Sequence, residues 1–272
     1  MTDFETIIYE QAGPRARITF NRPKVLNALN NKLISETLEV VKNLPDETRV
    51  LVLAGSGGKA FAAGADLQEM QKRTQWSEIN FGKRRELAHL LETSPFPTIA
   101  AIEGFALGGG LELALACNLR FASSSAQLGL PETSLGILPA NGGTARLARL
   151  TGRGRALRMV MMAERVSATE AERIGLVDWV VEASEFAQEL SRLEDRIIHL
   201  APIATRAVID TVSKSTDMSL ERAIDYEHRW FQILLASADK QEGVSAFLQK
   251  RKPEFSGIPD NEMNQPAGQE KA

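Results

Sequence analysis

Apolar β-branched and aromatic residues cluster at 6–10 and 15–20 on either side of the Ala12-Gly13-Pro14 turn, which predicts two short strands. After residue 30 the apolar positions fall at helical spacing. Leu33, Ile34, Leu38 and Val41 share one face of a helix that Asn30 or Asn31 can cap and that runs to about Asn43. Residues 49–54 are a short apolar run of the buried-strand kind, followed by a glycine-rich stretch and a helix from about Leu67. Another helix is predicted over 80–92, stopped by Pro95 and Pro97. Strand 98–103, helix 108–117, and strand pieces at 118–122 and 127–128 come next. Helices at 142–150, 154–163 and 168–174 precede a last strand at 177–181. From Glu185 the pattern is helical, with breaks near Pro202, near Asp217 and at an Asp239 turn. Strands alternate with helices for two-thirds of the chain and helices close it, so the fold class is α/β with a helical C-terminal part.

Length allows one large domain, or a domain plus an appendage. The expected division is a core at 1–196, a helical region at 197–256 and a polar, disordered tail at 257–272. Across 272 residues, 32 basic and 35 acidic side chains leave a net charge of −3, which argues against a nucleic-acid binder. The single cysteine, Cys117, excludes an intrachain disulfide and a multi-cysteine zinc site, and its apolar helix face places it in the core. No secretory signal or membrane span is read, so the expected location is cytoplasmic, or an organelle matrix if a transit peptide was removed.

Several motifs fail. Gly55-Ser56-Gly57-Gly58-Lys59-Ala60 imitates a phosphate loop, but Leu53 and Ala60 stand where that pattern needs Gly and Ser or Thr. The same stretch matches a dinucleotide fingerprint, yet Gly64 interrupts the helix such a fold needs. No nucleophile elbow exists, and His89, His199 and His228 lack metal-ligand spacing, so no metal is expected.

Two glycine-rich turns that open helices remain. In residues 61–70 Asp66 can cap, with Glu69 completing a capping box. In residues 104–113 three glycines leave backbone N–H groups pointing outward at a helix start. Two such donors converging on one point make an oxyanion hole. Glu112, in the first turn of the second helix, and Glu132, in Leu130-Pro131-Glu132, are a candidate acid/base pair.

These residues resemble the enoyl-CoA hydratase/isomerase, or crotonase, family. The resemblance also rests on residues 21–29 (Asn-Arg-Pro-Lys-Val-Leu-Asn-Ala-Leu), Gly136-Ile137-Leu138-Pro139 with Gly142-Gly143-Thr144, Ile174-Gly175-Leu176-Val177, and the segments 242–247 and 250–253. It spans about residues 5–256 in order. It implies a spiral of ββα units with C-terminal helices used for homotrimers or dimers of trimers. It also implies an acyl-CoA substrate, with CoA as part of that substrate rather than a cofactor, and a role in fatty acid metabolism.

Carried over, the oxyanion donors are the N–H groups of Ala65 and Gly109, and the two glutamates favour hydration of a short or branched 2-enoyl-CoA. A lyase is therefore expected. The alternatives are a Δ3,Δ2-enoyl-CoA isomerase on the same scaffold and a non-catalytic acyl-CoA or RNA-binding module. The CoA positions are Lys24, Leu26, Ala63, Ala65, Asp66 and Leu67, with Phe231, Phe247 and Lys250 reaching a neighbouring subunit's CoA. Asn141 departs from the family pattern: by analogy it adds a polar group near the acyl pocket, while the favoured reading is a turn residue tolerating positive φ. Residues 71–85 match nothing; Trp76 and Phe81 are expected in the acyl pocket or the core. Residues 108–122 also resemble methylglutaconyl-CoA hydratases, some of which bind RNA. Arg146, Arg149, Arg153, Arg155 and Arg158 nevertheless read as structural or interface groups, without interleaved aromatics.

Overall fold

The computed structural model describes residues 4–80 and 82–257, which form two compact units dividing between residues 195 and 196. Phe81 and the predicted tail beyond residue 257 lie outside the described residues. In chain order the first unit runs β1 (Ile7–Ala12), β2 (Arg15–Phe20), α1 (Asn31–Lys42), β3 (Val50–Gly55), β4 (Ala60–Ala62), α2 (Leu67–Lys72), α3 (Gln75–Asn80) and α4 (Lys83–Glu92). It continues with β5 (Thr98–Ile102), β6 (Phe105–Leu107), α5 (Gly109–Ala116), β7 (Leu119–Ser123), β8 (Gln127–Gly129), α6 (Gly143–Thr151), α7 (Arg153–Met161), β9 (Arg165–Ser167), α8 (Ala168–Arg173) and β10 (Trp179–Val181). Helix α9 (Phe186–Ile198) leads into the second unit.

Two sheets organise the first unit. One has the order β1-β2-β3-β5-β7-β10, parallel except for the β1–β2 hairpin, and the other the order β4-β6-β8-β9. A unit repeats: a strand of the large sheet, a turn, a strand of the small sheet, then a helix. It occurs as β3-β4-α2, as β5-β6-α5, and as β7-β8 followed by a 3-10 turn at Pro131–Leu135 and α6. Strand β5 is buried at every position, as expected for a parallel strand covered on both faces. Phe20 of β2 and Phe61 of β4 meet with ring centroids 5.3 Å apart, which ties the sheets together.

Of the small sheet, only β8 was read in the sequence, as the strand piece at 127–128. Strands β4, β6 and β9 have three residues each, and β4 is buried throughout, so no alternation exists to read. The predicted helix 80–92 is α4, which starts at Lys83 with Gly82 at its N-cap, and a separate short helix, α3, precedes it. Asn30 is the cap of α1, its side chain accepting from the Leu33 N–H at 2.9 Å. Cys117 is buried, and burial pushes its thiol up to about 12.

The second unit holds α10 (Pro202–Ser215), α11 (Leu220–Leu235) and α12 (Ala238–Gln249). Asp210 of α10 accepts from Tyr226 and, at 2.8 Å, from Trp230 Nε1, both on α11. The break expected at Asp239 falls earlier. Ser237 caps α12, and Asp239 sits buried in its first turn, accepting from the Ser256 N–H at 2.8 Å. Val208, Val212, Leu220, Ile224 and Phe231 stand exposed on these helices. Among the described residues, no helix is long and apolar enough to cross a membrane.

Candidate active site

The two glycine-rich turns meet. Gly108 adopts φ +50°, ψ −128°, a conformation that side-chain-bearing residues rarely reach. Gly110 has a different reason: a Cβ there would lie 2.1 Å from the Ala62 carbonyl oxygen, because the start of α5 is laid directly on β4. At the other turn the Leu29 N–H donates to Gly64 O at 2.8 Å and the Asp66 N–H donates to Leu29 O at 3.1 Å. That parallel bridge turns the intervening Ala65 N–H away from Leu29. A Cβ built on Gly109 would lie 3.8 Å from Ala65 N, so the two turns are in contact. The Gly109 N–H is a first-turn donor with no acceptor inside its own helix. Both residues line a cavity of about 440 Å³.

Glu112 and Glu132 line that same cavity. Glu112 is buried and accepts from three N–H donors: Asn141 N at 2.7 Å, Gly143 N at 3.0 Å and Asn141 Nδ2 at 3.1 Å. Asn141 is in turn steadied by Arg146, whose Nη1 donates to Asn141 O at 2.9 Å while Nη2 pairs with Glu92 at 2.7 Å. Glu132 differs. Its Oε1 faces the Gly108 backbone, and its Oε2 is buried without a hydrogen-bond partner. Burial, and secondarily the charge of Glu112, raise its carboxyl to about 7. One carboxyl is thus surrounded by donors and its neighbour is shifted into the neutral range, a division suited to acid/base work.

The carried-over CoA positions fall in several places. Ala63, Ala65 and Leu67 line the large cavity. Lys24 and Leu26 line a second cavity of about 240 Å³ with Lys59, Ser56 and Pro23. Leu26 and Asn27 both have positive φ, and Asn27 holds that turn by accepting from the Arg22 N–H and donating to Ser56 O and Ala60 O. Asp66 is engaged locally: it pairs with Arg22 at 2.9 Å and caps α2. Burial works against its charge, but hydrogen bonds from Arg22 and the Glu69 and Gln68 N–H groups hold its carboxyl below the usual range. The capping box closes by half only. The Asp66 N–H is taken by Leu29 O, and Glu69 instead accepts from the Asn31 N–H at 2.9 Å. Phe231, Phe247 and Lys250 belong to the second unit, where all three are exposed. Among the described residues, no group of three His, Cys, Asp or Glu side chains is placed to hold a metal ion.

Comparison with known proteins follows the same line. Residues 12–258 match the family described as enoyl-CoA hydratase/isomerase. The chain belongs to that family. It is 40% identical to a crotonyl-CoA hydratase of Syntrophomonas wolfei over 93% of this chain and 98% of that protein. It is 38% identical to a short-chain-enoyl-CoA hydratase of Clostridium acetobutylicum over the same shares. Among solved structures, an enoyl-CoA hydratase subunit from Geobacillus kaustophilus superposes with a TM-score of 0.89 at 41% identity, covering 94% of this chain and all of that one. The chain is accordingly an enzyme of the hydratase branch, and its fold is that of the enoyl-CoA hydratases.

Within this enoyl-CoA hydratase/isomerase framework the structure corrects two expectations. Asn141 does not occupy positive φ; Gly142 beside it does, at +97°. The turn's strain falls on the glycine, and Asn141 serves Glu112 with both backbone and side chain. Trp76 is neither core nor pocket lining: it is 74% exposed, because the face of α3 turned to the cavity carries Gln75 and Glu78. Sequence reasoning also missed Lys59, set aside with the rejected phosphate loop, and the cavity-lining pair Arg73 and Arg84. Three arginines in the otherwise unmatched segment 71–85, Arg73, Arg84 and Arg85, were the available signal.

Proposed function

We propose that this chain adds water across the 2,3 double bond of a short or branched 2-enoyl-CoA thioester. The carrying observation is the unlike pair of carboxyls, Glu112 ringed by donors and Glu132 with an orphaned buried oxygen, beside two outward N–H groups in one cavity. The thioester oxygen sits against the Ala65 and Gly109 N–H groups, which stabilise the enolate as negative charge develops there. A water lies between the carboxyls. Glu112 takes one of its protons as the hydroxyl bonds to C3, the double-bond electrons pass to the enolate, and protonated Glu132 delivers a proton to C2. Solvent exchange then moves the proton from Glu112 and restores the one Glu132 gave up.

The small-residue turn and the second cavity support a CoA path in which Lys24 and Lys59 meet phosphate charge and the Leu26, Ala63, Asp66 and Leu67 backbone borders the ligand. The exposed apolar side chains of the second unit support assembly into a homotrimer or dimer of trimers, in which Phe231, Phe247 and Lys250 face a neighbour's CoA. The relatives named for short-chain and crotonyl-CoA substrates support a four-carbon acyl chain as the first test. Loss of conjugated-thioester absorbance with trans-2-butenoyl-CoA is expected. Turnover of 3-butenoyl-CoA to the 2-enoyl ester, faster than any hydration, would place the activity with isomerases instead.

A further inference from the structure

The cavity beside Glu112 is not uniformly apolar. Leu29, Ile34, Leu67, Met70 and Leu113 supply apolar wall, but Arg73, Glu78 and Arg84 line it too. Arg84 is only 6% exposed, and its Nη2 donates to Asn31 Oδ1 at 2.6 Å. Arg73 Nη2 is buried with no hydrogen-bond partner, while its Nη1 lies 3.9 Å from the exposed Glu78 carboxylate and 3.9 Å from Met70 Sδ. The two guanidinium groups repel each other. Burial first, then the Arg73 charge, lower the Arg84 pKa, with Glu78, Glu69 and Glu112 pulling the other way.

Filling such a cavity with a hydrocarbon chain would leave the Arg73 donor dry and unpaired, which is costly. A carboxylate at the end of that chain would accept from it and sit between two like charges that now oppose each other. We infer that Arg73 and Arg84 form a subsite for a second carboxylate, so that the favoured substrate is the mono-CoA thioester of an unsaturated dicarboxylic acid. This rests on the hydratase function proposed above. The apolar wall holds the chain's methylenes, Glu112 and Glu132 act at its 2,3 bond, and the free carboxylate ends on the arginines.

The test compares trans-2-hexenoyl-CoA with the mono-CoA ester of trans-2-hexenedioic acid, which share a six-carbon chain and differ in the end group. The expected kcat/KM is at least about 10-fold higher for the diacid ester, and Arg84→Met or Arg73→Met is expected to lower that ratio by about 10- to 100-fold. Arg84→Lys should restore part of it. Should Arg84→Met not fold, Arg73→Met carries the comparison. A wild-type ratio at or below one, or a ratio that both arginine variants leave untouched, overturns the subsite. Calorimetric binding of adipyl-CoA against hexanoyl-CoA needs no turnover. Tighter, arginine-dependent adipyl-CoA binding without hydration of either enoyl ester would keep the subsite and reject the hydratase function. Hydration of the hexenoyl ester with no advantage for either diacid would do the reverse.

Discussion

Glu112 and Glu132 are chemically identical side chains made different by their surroundings. Three N–H donors converge on Glu112, whereas Glu132 is buried with one oxygen unpartnered. Glu112→Gln and Glu132→Gln are each expected to lower kcat for hydration by about 10²- to 10⁴-fold, with CoA-ester binding retained by calorimetry. Near wild-type turnover in either variant would remove that residue from the chemistry. A stability measurement probes Glu132 separately. Its ordinary value of 4.5 rises to about 7 on folding. Below 4.5 both states are protonated and nothing is lost. Between 4.5 and about 7 the unfolded chain gives up its proton first, so stability falls as pH rises, and the penalty is complete above 7. Glu132→Gln is therefore expected to raise Tm more at pH 8 than at pH 4. Asn141 belongs at this scale as well. Asn141→Gly keeps the two backbone donors to Glu112 but removes the Nδ2 bond, and kcat is expected to fall about 10-fold with a smaller change in KM.

At the scale of elements, the junction of α5 with β4 decides whether the two turns can meet. The carbonyl of Ala62 occupies the space a Cβ on Gly110 would need, at 2.1 Å. Backbone cannot yield as a side chain tip can, so Gly110→Ala must lift the start of α5. A loss of about 1–3 kcal/mol in denaturant unfolding is expected, together with loss of activity as Gly109 moves from Ala65. A wild-type midpoint would show that the helix is not seated as tightly as this contact requires. The longer elements were legible beforehand. Strands β2, β3 and β5 and helices α1, α5 and α6 appear where hydrophobic period and glycine placed them. The three-residue strands β4, β6 and β9 were not, because three residues carry no period, and Phe61 is buried there by its partner Phe20 from another sheet.

At the scale of the molecule, the exposed Val208, Val212, Leu220, Ile224 and Phe231 of the second unit are more apolar surface than a solitary helical unit has reason to keep. Light scattering on the purified chain is expected to return three or six chain masses; a monomer at micromolar concentration would reject the assembly.

What the sequence alone determined was the order of the longer elements, the family, and the candidates for the chemistry: Glu112, Glu132 and the turns around Ala65 and Gly109. Each depends on residue type and on neighbours within a few positions, which a linear pattern records. Tertiary structure decided how those residues differ and what else joins them. Glu112 is held by Asn141, 29 positions away, and Arg84 lines the same cavity from a segment whose sequence matched nothing. Burial, a lost partner and the meeting of like charges are properties of the space between elements, and that space exists only once the two sheets have closed on each other.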